Sequence, residues 1–448
     1  MGSEMPVIPG PRLSAVPGRD GPPVPEDDRP AGSRRARRGD GPVLRIAQPP
    51  EERLAGRGNG SGAGPPRHMA AGRRHLAGYA WLVFVALGIG GVVILILLPK
   101  SNPAAPHRRT TVVASLPYWN MALGTATVLA NRGAFTEASP WMYGLSPGGQ
   151  IVPQYPPDQE AAVAGTLDKL RAARLPIVPT LANITGGQFV YQPVARMLNT
   201  PSLAQAHVAA IAQLVRQRGY AGIDIDYEDL HTTDRAAFSS FITSLGAALH
   251  ADKKILSVAV FAKTTDAGYD QRNVAQNYAA IGRAADQVRL MAYDYHWATS
   301  PPGPVAPIWW VRDVLHYAKT QIPAHKIILG VPLYGYDWTG HQGTAVTWLQ
   351  AFRLATRHKA QPRFDAASQE AWFGYTDSSG RKHVVWFENS ESSTAKFAAA
   401  QGSGIGGAYL WMYGYEETST WPALRKTLPV SGQPATGSPA AQRSQAGS

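Results

Sequence analysis

The amino-acid sequence predicts an α/β fold, a (β/α)8 barrel of the TIM type with a small α+β insertion after strand seven, preceded by a disordered tail and one transmembrane helix. Three observations lead to this prediction. After residue 110, eight short apolar runs alternate with amphipathic stretches; residues 79–98 carry no charge; and residues 1–78 are rich in Gly, Pro and Arg. Strands that alternate with helices pair in parallel, and eight such units fit one barrel with insertions.

The first segment is a basic tail with hardly any aromatic side chains, so it cannot bury enough apolar surface to fold. Residues 1–109 hold 16 Lys or Arg against 8 acids, whereas residues 110–429 hold 26 against 23. The net charge of +12 therefore lies mainly outside the folded part, which argues against a specific nucleic-acid partner. The predicted segments are a disordered cytoplasmic tail at 1–78, a transmembrane helix at 79–98, a linker at 99–109, the barrel at 110–429 and a disordered tail at 430–448.

Residues 79–98 read YAWLVFVALGIGGVVILILL. At ~1.5 Å per residue this helix spans ~30 Å, the thickness of the hydrocarbon core of a bilayer. A buried core helix is one alternative, but its polar and Pro-rich flanks offer nothing to cover it; a cleaved signal peptide is another, but no clear A-x-A site follows. The Arg-rich tail favours an inside N-terminus, so we expect a single-pass protein of the cell membrane with its barrel extracellular.

The absence of cysteine excludes disulfides, a thiol nucleophile and a Cys-ligated metal. The twelve histidines show no metal-binding spacing. We therefore expect neither a metal nor a cofactor, and the sequence does not specify the oligomeric state.

The barrel strands are predicted from runs rich in β-branched and aromatic residues. In chain order they are TVVASLPYW, FTEASPWMYGL, LPIVPTLAN, AGIDIDYE, ILSVAVFA, VRLMAYDY, KIILGVPLYGYDW and GIGGAYLWMYGY. Helices are predicted between them, for example over 202–219 and 234–253, where apolar residues recur at three- and four-residue spacing. After the seventh strand, 344–359 predicts a helix and 371–388 a hairpin across the turn DSSG.

The fourth predicted strand carries three acids, Asp224, Asp226 and Glu228, alternating with apolar residues. Alternation places all three on one face, which in a barrel is the interior, where an unpaired charge is costly. An exposed edge strand would avoid the cost, and a hard cation such as Mg²⁺ would offset it, although the calcium-loop spacing is absent. The triplet also ends its strand, where barrel active sites lie. Stacked like charges raise a carboxyl pKa, so Glu228 could donate a proton near neutral pH.

These residues resemble the D-x-x-D-x-D-x-E signature of glycoside hydrolase family 18, with D-x-D-x-E intact. LMAYDYHW resembles the M-x-Y-D of the sixth strand, LGVPLYGYDW the G-x-P-x-Y-G of the seventh, and GGAYLWMYG the eighth with its floor tryptophan. The resemblance runs over about residues 110–429. The residues in and around these motifs are most similar to those of the bacterial branch that includes spore-cortex and peptidoglycan N-acetylglucosaminidases.

The resemblance implies a substrate-assisted retaining glycosidase that acts on β-1,4-linked N-acetylglucosamine in peptidoglycan or chitin. It implies that Glu228 is the proton donor, that Asp226 accepts the acetamido N–H, and that Asp224 shares charge and protons with Asp226. The remaining implied site residues are Tyr293, which would bind the acetamido oxygen, and the substrate-binding Asp294, Met291, Trp411 and Tyr334. A catalytically inactive carbohydrate-binding barrel is the alternative, against which the intact Glu228 and Asp226 argue.

The chain departs from the family pattern at two places. Ala221 stands where the signature has its first Asp, and Asp229-Leu230 stands where Tyr-Pro is usual. We expect the first to have a structural cost and the second to reshape the loop beside the acid. Six aromatic or amide residues could lie either in the core or in the cleft: Trp119, Trp141, Tyr143, Asn183, Tyr293 and Trp411.

Overall fold

The computed structural model describes residues 110–267, 270–412 and 414–430. The predicted tail at 1–78, the transmembrane helix at 79–98, the linker at 99–109 and nearly all of the segment 430–448 lie outside these residues. Within the described ranges, no helix combines the length and the apolar character needed to span a bilayer.

The described residues contain sixteen strands. They are β1 Thr111–Pro117, β2 Glu137–Leu145, β3 Ile151–Pro153, β4 Thr180–Ala182, β5 Ile184–Thr185, β6 Gln188–Phe189, β7 Gly222–Asp226, β8 Ile255–Phe261, β9 Gln287–Met291, β10 Ile327–Pro332, β11 Tyr334–Thr339, β12 Gln342–Thr347, β13 Arg363–Asp365, β14 Glu370–Thr376, β15 Lys382–Phe387 and β16 Gly407–Trp411.

Eight of these strands form a closed parallel barrel in the order β1, β2, β4, β7, β8, β9, β10, β16. Strand β16 pairs with β1 and closes the ring. All eight predicted strands are thus confirmed, as is their parallel pairing. Their carboxyl ends meet at one mouth, where the loops that build an active site lie.

The helices pack outside the barrel. They are α1 Met121–Ala130, α2 Glu160–Ala172, α3 Tyr191–Leu198, α4 Pro201–Gln217, α5 Arg235–Ala251, α6 Gln271–Ala275, α7 Tyr278–Ala284, α8 Ile308–Gln321, α9 Trp348–Arg357, α10 Ser390–Gly402 and α11 Thr420–Thr427. Helices α4 and α5 confirm the two predicted from their apolar spacing. Their buried faces, such as Ile211 and Val215 on α4, pack in the same core as Ile223 and Ile225 of β7.

Strand β7 approaches its neighbour β8 closely at Gly222. A Cβ atom at this position would lie 2.2 Å from the carbonyl oxygen of Ile255, the residue that pairs with Gly222. Any larger residue would therefore push β7 away from β8. Gly222 therefore allows β7, the strand that carries the acids, to stay within hydrogen-bonding distance of β8.

Residues 334–387 form the predicted α+β insertion. Its antiparallel sheet has the order β12, β11, β15, β14, β13. Helix α9 covers one face of this sheet, where a small separate core is formed by Val346, Ala351, Ala355, Ala371, Phe373, Val385 and Phe387. The predicted hairpin is β14–β15, whose paired ends Thr376 and Lys382 flank the turn.

Two predicted boundaries in this region are wrong. The run 326–338 is not one strand: it divides at Leu333, whose backbone N–H donates to the carbonyl of Trp411, and the chain then leaves the barrel to pair in the insertion. The helix predicted at 344–359 begins only at Trp348, because residues 344–347 belong to β12. Thr347 caps α9 instead, accepting the backbone N–H of Gln350.

Candidate active site

The three acids of the fourth barrel strand lie where the strand reaches the mouth. Asp224 and Asp226 end β7 and Glu228 follows it, with exposed fractions of 2%, 8% and 9%. Strand β7 has neighbours on both sides, β4 and β8, so the alternative of an exposed edge strand is wrong. The acids are buried charges that need partners or protons.

Asp224, the deepest of the three, is surrounded by donors. Its Oδ2 accepts the hydroxyl of Thr180 at 2.9 Å and lies 3.0 Å from Nη1 of Arg289, while its Oδ1 accepts the hydroxyl of Ser257 at 2.6 Å. Nη2 of Arg289 lies 2.6 Å from Oε1 of Glu137. The barrel interior thus holds one buried guanidinium between two carboxylates.

Sequence reasoning missed Arg289 and Glu137. Each lies at an interior position of its strand, two residues before Met291 on β9 and four before Trp141 on β2. The signal that would have found them is the one used for the acids, a charged residue at period two within an apolar strand. The positive charge that the alternative of a hard cation would supply to Asp224 comes here from the guanidinium of Arg289. In the described ranges, no group of three or more His, Cys, Asp or Glu could hold a metal ion.

Asp226 has one occupied and one open oxygen. Its Oδ2 accepts the indole N–H of Trp141 at 3.0 Å, whereas its buried Oδ1 has no hydrogen-bond partner in the part of the chain that the structure describes. Burial raises the pKa of Asp226 to about 7; the Trp141 hydrogen bond opposes this shift and the charge of Asp224 adds to it. The open oxygen is therefore an acceptor without a donor.

Glu228 is held through its backbone by Asn183, which follows β4. The side-chain amide of Asn183 donates to the Glu228 carbonyl at 2.8 Å, and its oxygen accepts the Glu228 N–H at 2.7 Å. Burial, followed by the negative charges of Asp226 and Asp229, raises the pKa of Glu228 well above its usual range. The raised pKa favours the protonated form, which is the form that a general acid needs.

The loop after Glu228 turns sharply at the unusual Asp229. Its φ of 55° lies in the left-handed region, which Asp and Asn tolerate better than most residues. The Asp229 carboxylate lies 3.5 Å from Nη1 of Arg272, at the start of α6. The departure from the family pattern therefore places an ion pair beside the acid.

The residues predicted from the sixth and seventh strands meet at the mouth. The hydroxyls of Tyr334 and Tyr336 both donate to Oδ1 of Asp294, at 2.7 and 3.0 Å. Burial raises the pKa of Asp294 to about 6, against these two hydrogen bonds. The Tyr293 hydroxyl lies 2.8 Å from that of Tyr409. Tyr334 therefore positions Asp294, and Tyr336, which sequence reasoning missed, does the same.

Trp411 remains partly exposed at the end of β16, so it is not a residue of the main core. Like Met291 and Tyr293, it packs against a small cluster formed by Val113, Ile328 and Tyr409. Its ring centroid lies 6.4 Å from that of Trp119 and 6.2 Å from that of Trp141. An indole face beside carboxylates suits a sugar ring, which has apolar C–H faces and polar edges.

The structure also locates the other residues that the sequence left undecided between the core and the cleft. Trp141 and Asn183 contact the acids directly, and Trp119 belongs to the aromatic group around Trp411. Tyr143 is a core residue, with its hydroxyl 2.8 Å from that of Tyr220. The predicted site residues are therefore brought together at one mouth, with Asp224 as their deepest member.

Comparison with known proteins agrees with this geometry. A Bacillus subtilis protein named as a sporulation-specific glycosylase is 37% identical over 264 residues, which cover 57% of this chain and 60% of that protein. The chain thus spans three fifths of that relative. A solved chitinase from Chromobacterium violaceum is 30% identical with a TM-score of 0.67, over 71% of this chain and 99% of that one. The spore cortex-lytic enzyme SleL of Bacillus cereus is 27% identical with a TM-score of 0.65, over 71% and 75%.

The family model described as "Glycosyl hydrolases family 18" matches residues 148–416, which is more than half of the 448 residues. The match includes the acids of β7, the Tyr293-Asp294 pair and Trp411. The chain therefore belongs to glycosyl hydrolase family 18.

Proposed function

We propose that this protein is a retaining glycosidase that cleaves glycans with β-1,4-linked N-acetylglucosamine, using the acetamido group of the substrate as the nucleophile. The observation that carries this proposal is the open Oδ1 of Asp226 near Glu228, whose pKa is raised by burial and by the charge of Asp226. A buried acceptor without a donor costs free energy, which an acetamido N–H of the substrate would recover. An open carboxylate oxygen also suits a carboxylate nucleophile, and the choice of substrate assistance rests on membership of family 18, which is an exception to the two-carboxylate retaining mechanism.

In the proposed reaction, Glu228 gives its proton to the glycosidic oxygen as the bond from that oxygen to the anomeric carbon breaks. The acetamido oxygen forms the new bond to the anomeric carbon, and Asp226 stabilises the resulting oxazolinium ion through its N–H. Glu228, now a carboxylate, takes a proton from the water that opens this ring. Two displacements at the same carbon give retention of configuration.

The other site residues position the sugar. Tyr293 would donate to the acetamido oxygen, Asp294 would accept a sugar hydroxyl, and Trp411, with Met291 beside it, would support the ring from below. Tyr334 holds Asp294 in place. Asp224 would share charge and protons with Asp226 while paired with Arg289.

The proposed substrate is peptidoglycan or chitin. The names of similar proteins support both, because one is a spore cortex-lytic enzyme and another a chitinase. Incubation of the full chain in detergent with purified peptidoglycan and with chitin oligomers, followed by mass analysis of the products, separates the two. Products with N-acetylglucosamine at the new reducing end are expected from either polymer, and their absence from both would remove the proposal.

Glu228→Gln tests the proton donor. We expect turnover to fall by about 10²–10⁴-fold, because the amide cannot donate a proton with the same ease, while calorimetry still detects oligosaccharide binding. Glu160→Gln on α2, an exposed residue, is the matched control and should leave turnover unchanged. Equal hydrolysis by Glu228→Gln and wild type would exclude this role. Binding without hydrolysis in the wild type would instead indicate the inactive carbohydrate-binding barrel.

We further infer that residues 79–98 anchor the barrel outside the cell membrane, with the N-terminal tail in the cytoplasm. The support is the length and the lack of charge of this stretch, together with the Arg-rich tail before it. Deletion of residues 79–98 should move the protein from the membrane fraction to the soluble fraction. A mature N-terminus beyond Leu98 would instead identify a cleaved signal peptide.

A further inference from the structure

We propose that the end of the barrel opposite the mouth binds the phosphate headgroups of an anionic lipid membrane, which turns the mouth away from that membrane. This inference rests on the proposed anchor, since it gives an orientation to a barrel held beside a bilayer. The binding surface lies at the carboxyl ends of α1, α2, α4, α5, α7, α8, α10 and α11. We call it the basic face and define it by six exposed cations, Lys169, Arg174, Arg218, Lys253, Arg283 and Lys426.

Charge is distributed unequally between the two ends of the barrel. Residues 110–429 hold 26 Lys or Arg and 23 acids in all. The eight helix ends and the loops after them carry thirteen of these cations but only three surface acids, Asp168, Asp252 and Asp286. Each helix carboxyl end contributes about half a negative charge, so eight of them offset about four of the cations. This end therefore keeps an excess of positive charge, whereas the rest of the barrel is net acidic.

Hydrogen bonds between successive loops make this end one continuous surface. The guanidinium of Arg132 donates to the carbonyls of Ala173 and Arg174, at 2.7 and 3.0 Å. That of Arg171 donates to the carbonyl of Arg218 at 3.2 Å. Similar bonds join other loops, from Lys254 to the carbonyl of Tyr220, from Lys326 to that of Gly282 and from Arg425 to Oδ1 of Asn131. The cations of neighbouring loops can therefore act together on one flat, charged partner.

The surface acids at this end already have partners, whereas the six cations of the basic face do not. The three acidic pairs are Asp168 with Arg171, Asp252 with Arg216 and Asp286 with His250, at 2.7, 2.7 and 2.9 Å. Within the described ranges, none of the six defining cations lies within ion-pair distance of a carboxylate. Their charges are therefore available to an anionic partner from outside the chain.

Two of these cations stand where the backbone favours glycine. Arg174 and Lys253 each lie two residues after the end of their helix, α2 and α5, with φ of 54° and 56°. The same position after α4 is Gly219, with φ of 65°. This left-handed region costs glycine less than any residue with a side chain. Two loops of the basic face therefore carry a cation at a turn where glycine would be less strained.

The position of β1 selects the membrane as the anionic partner. The N–H of Thr111, at the start of β1, donates to the carbonyl of Gly406 between α10 and β16, so the chain enters the barrel at the basic face. The eleven residues 99–109, which separate the proposed anchor from the barrel, span at most ~40 Å. Anionic headgroups attract Lys and Arg within about a Debye length, ~8 Å at physiological salt. The same headgroups repel the acidic rest of the barrel, so the mouth faces outward.

The test measures which end of the barrel lies near the lipid. The chain has no cysteine, so Gln217→Cys beside the basic face and Ser378→Cys in the insertion hairpin each provide one site for a fluorescent label. Each labelled full chain is reconstituted in phosphatidylglycerol or phosphatidylcholine vesicles with an energy acceptor on the headgroups. We expect more transfer from position 217 than from 378, and a larger excess in phosphatidylglycerol. This larger excess should vanish between ~0.01 M and ~1 M salt, as the Debye length falls from ~30 to ~3 Å.

Neutral substitutions test the cations themselves. Arg174→Gln/Arg218→Gln/Lys253→Gln/Arg283→Gln should lower the ratio of docked to undocked barrels about 10²–10³-fold in phosphatidylglycerol, seen as reduced transfer from position 217. Arg353→Gln/Arg357→Gln/Lys359→Gln/Lys382→Gln removes four exposed cations from the insertion and is the matched control. Unchanged transfer in the first variant, or an equal loss in both, overturns the basic face. The comparison of lipids in the wild-type background gives a second test that does not depend on the folding of either variant.

Failure of the proposed function and failure of the basic face give different results. Release of the full chain from the vesicles at ~1 M salt would remove the proposed anchor, while transfer at low salt still decides the basic face. Hydrolysis plays no part in the test, so loss of the proposed glycosidase leaves it unaffected. Equal transfer from position 217 in both lipids overturns the assignment to lipid. Binding of soluble polyphosphate that the first quadruple variant loses would then assign the face to an anionic polymer instead.

Discussion

The guanidinium of Arg289 lies 3.0 Å from Oδ2 of Asp224, inside the barrel and below the site where the sugar would bind. The same guanidinium also contacts Glu137, so two carboxylates share one buried positive charge. Asp224 therefore has a permanent cationic partner, whereas Asp226, nearer the mouth, has only the Trp141 N–H. This asymmetry makes Asp226 the carboxylate that, in the proposed reaction, would accept the acetamido N–H of the substrate.

The first prediction concerns the stability of this network. Arg289→Met should destabilise the fold by about 3–5 kcal/mol, because it leaves Asp224 and Glu137 buried without a cation. Chemical denaturation measures the loss. Arg272→Met breaks a surface ion pair and should cost no more than about 1 kcal/mol, so it serves as the control. An Arg289→Met protein as stable as the wild type would show that the interior charges are compensated elsewhere.

The second prediction concerns the substrate. Replacing the acetamido group of the cleaved sugar by a free amine should stop hydrolysis, because neither the nucleophile nor the N–H for Asp226 is then present. Chitosan oligomers of defined acetylation pattern, analysed by mass, provide the measurement. Cleavage after a glucosamine unit at the wild-type rate would contradict substrate assistance while leaving Glu228 as a proton donor.

The third prediction uses the ion pair beside the acid. The charge of Asp229 raises the pKa of Glu228, and that of Arg272 lowers it. Asp229→Asn should therefore move the basic limb of the profile of kcat/KM against pH to lower pH, and Arg272→Met should move it to higher pH. Asn tolerates the left-handed backbone at position 229. Shifts in the same direction would mean that the limb does not report Glu228.

Much of the fold could be predicted because its signals are local. Parallel strands covered by helices are continuous apolar runs, and such runs stand out in one sequence. The acids at 224, 226 and 228 were visible for the same reason, since charges within a strand violate that pattern. Such local patterns can be recognised without knowing which strands are neighbours in the barrel.

The same signal marks Arg289 and Glu137 as charged residues within apolar strands, but it cannot show that they meet, because their pairing depends on strand order. Arg289 and Glu137 are 152 residues apart, and they meet because β9 and β2 face each other across the closed barrel. The division at Leu333 is also set by distant contacts, because the carbonyl of Trp411 on β16 pairs with its N–H. The change of direction at Leu333 also brings Tyr336 to Asp294, a contact that no local pattern indicates.

The last prediction concerns Asp294 and the pH dependence of stability. The folded-state pKa of this carboxyl is about 6, above the usual value of 3.8, so between these pH values the folded protein binds more protons than the unfolded chain. The contribution of Asp294 to the free energy of unfolding is therefore fully present below about pH 4, and it is lost as the pH rises through about 6. Denaturation at each pH should show a smaller decline in the free energy of unfolding for Asp294→Asn than for the wild type.

Tyr336→Phe provides the opposite change at the same carboxyl. It removes one of the two hydroxyls that donate to Oδ1 of Asp294 and lower its pKa. The pKa of Asp294 should then rise, and the decline in stability should extend to higher pH than in the wild type. Curves for the two variants that run parallel to that of the wild type would mean that Asp294 titrates alike in the folded and unfolded chains. Because the two substitutions change the slope in opposite directions, a general loss of stability cannot reproduce both results.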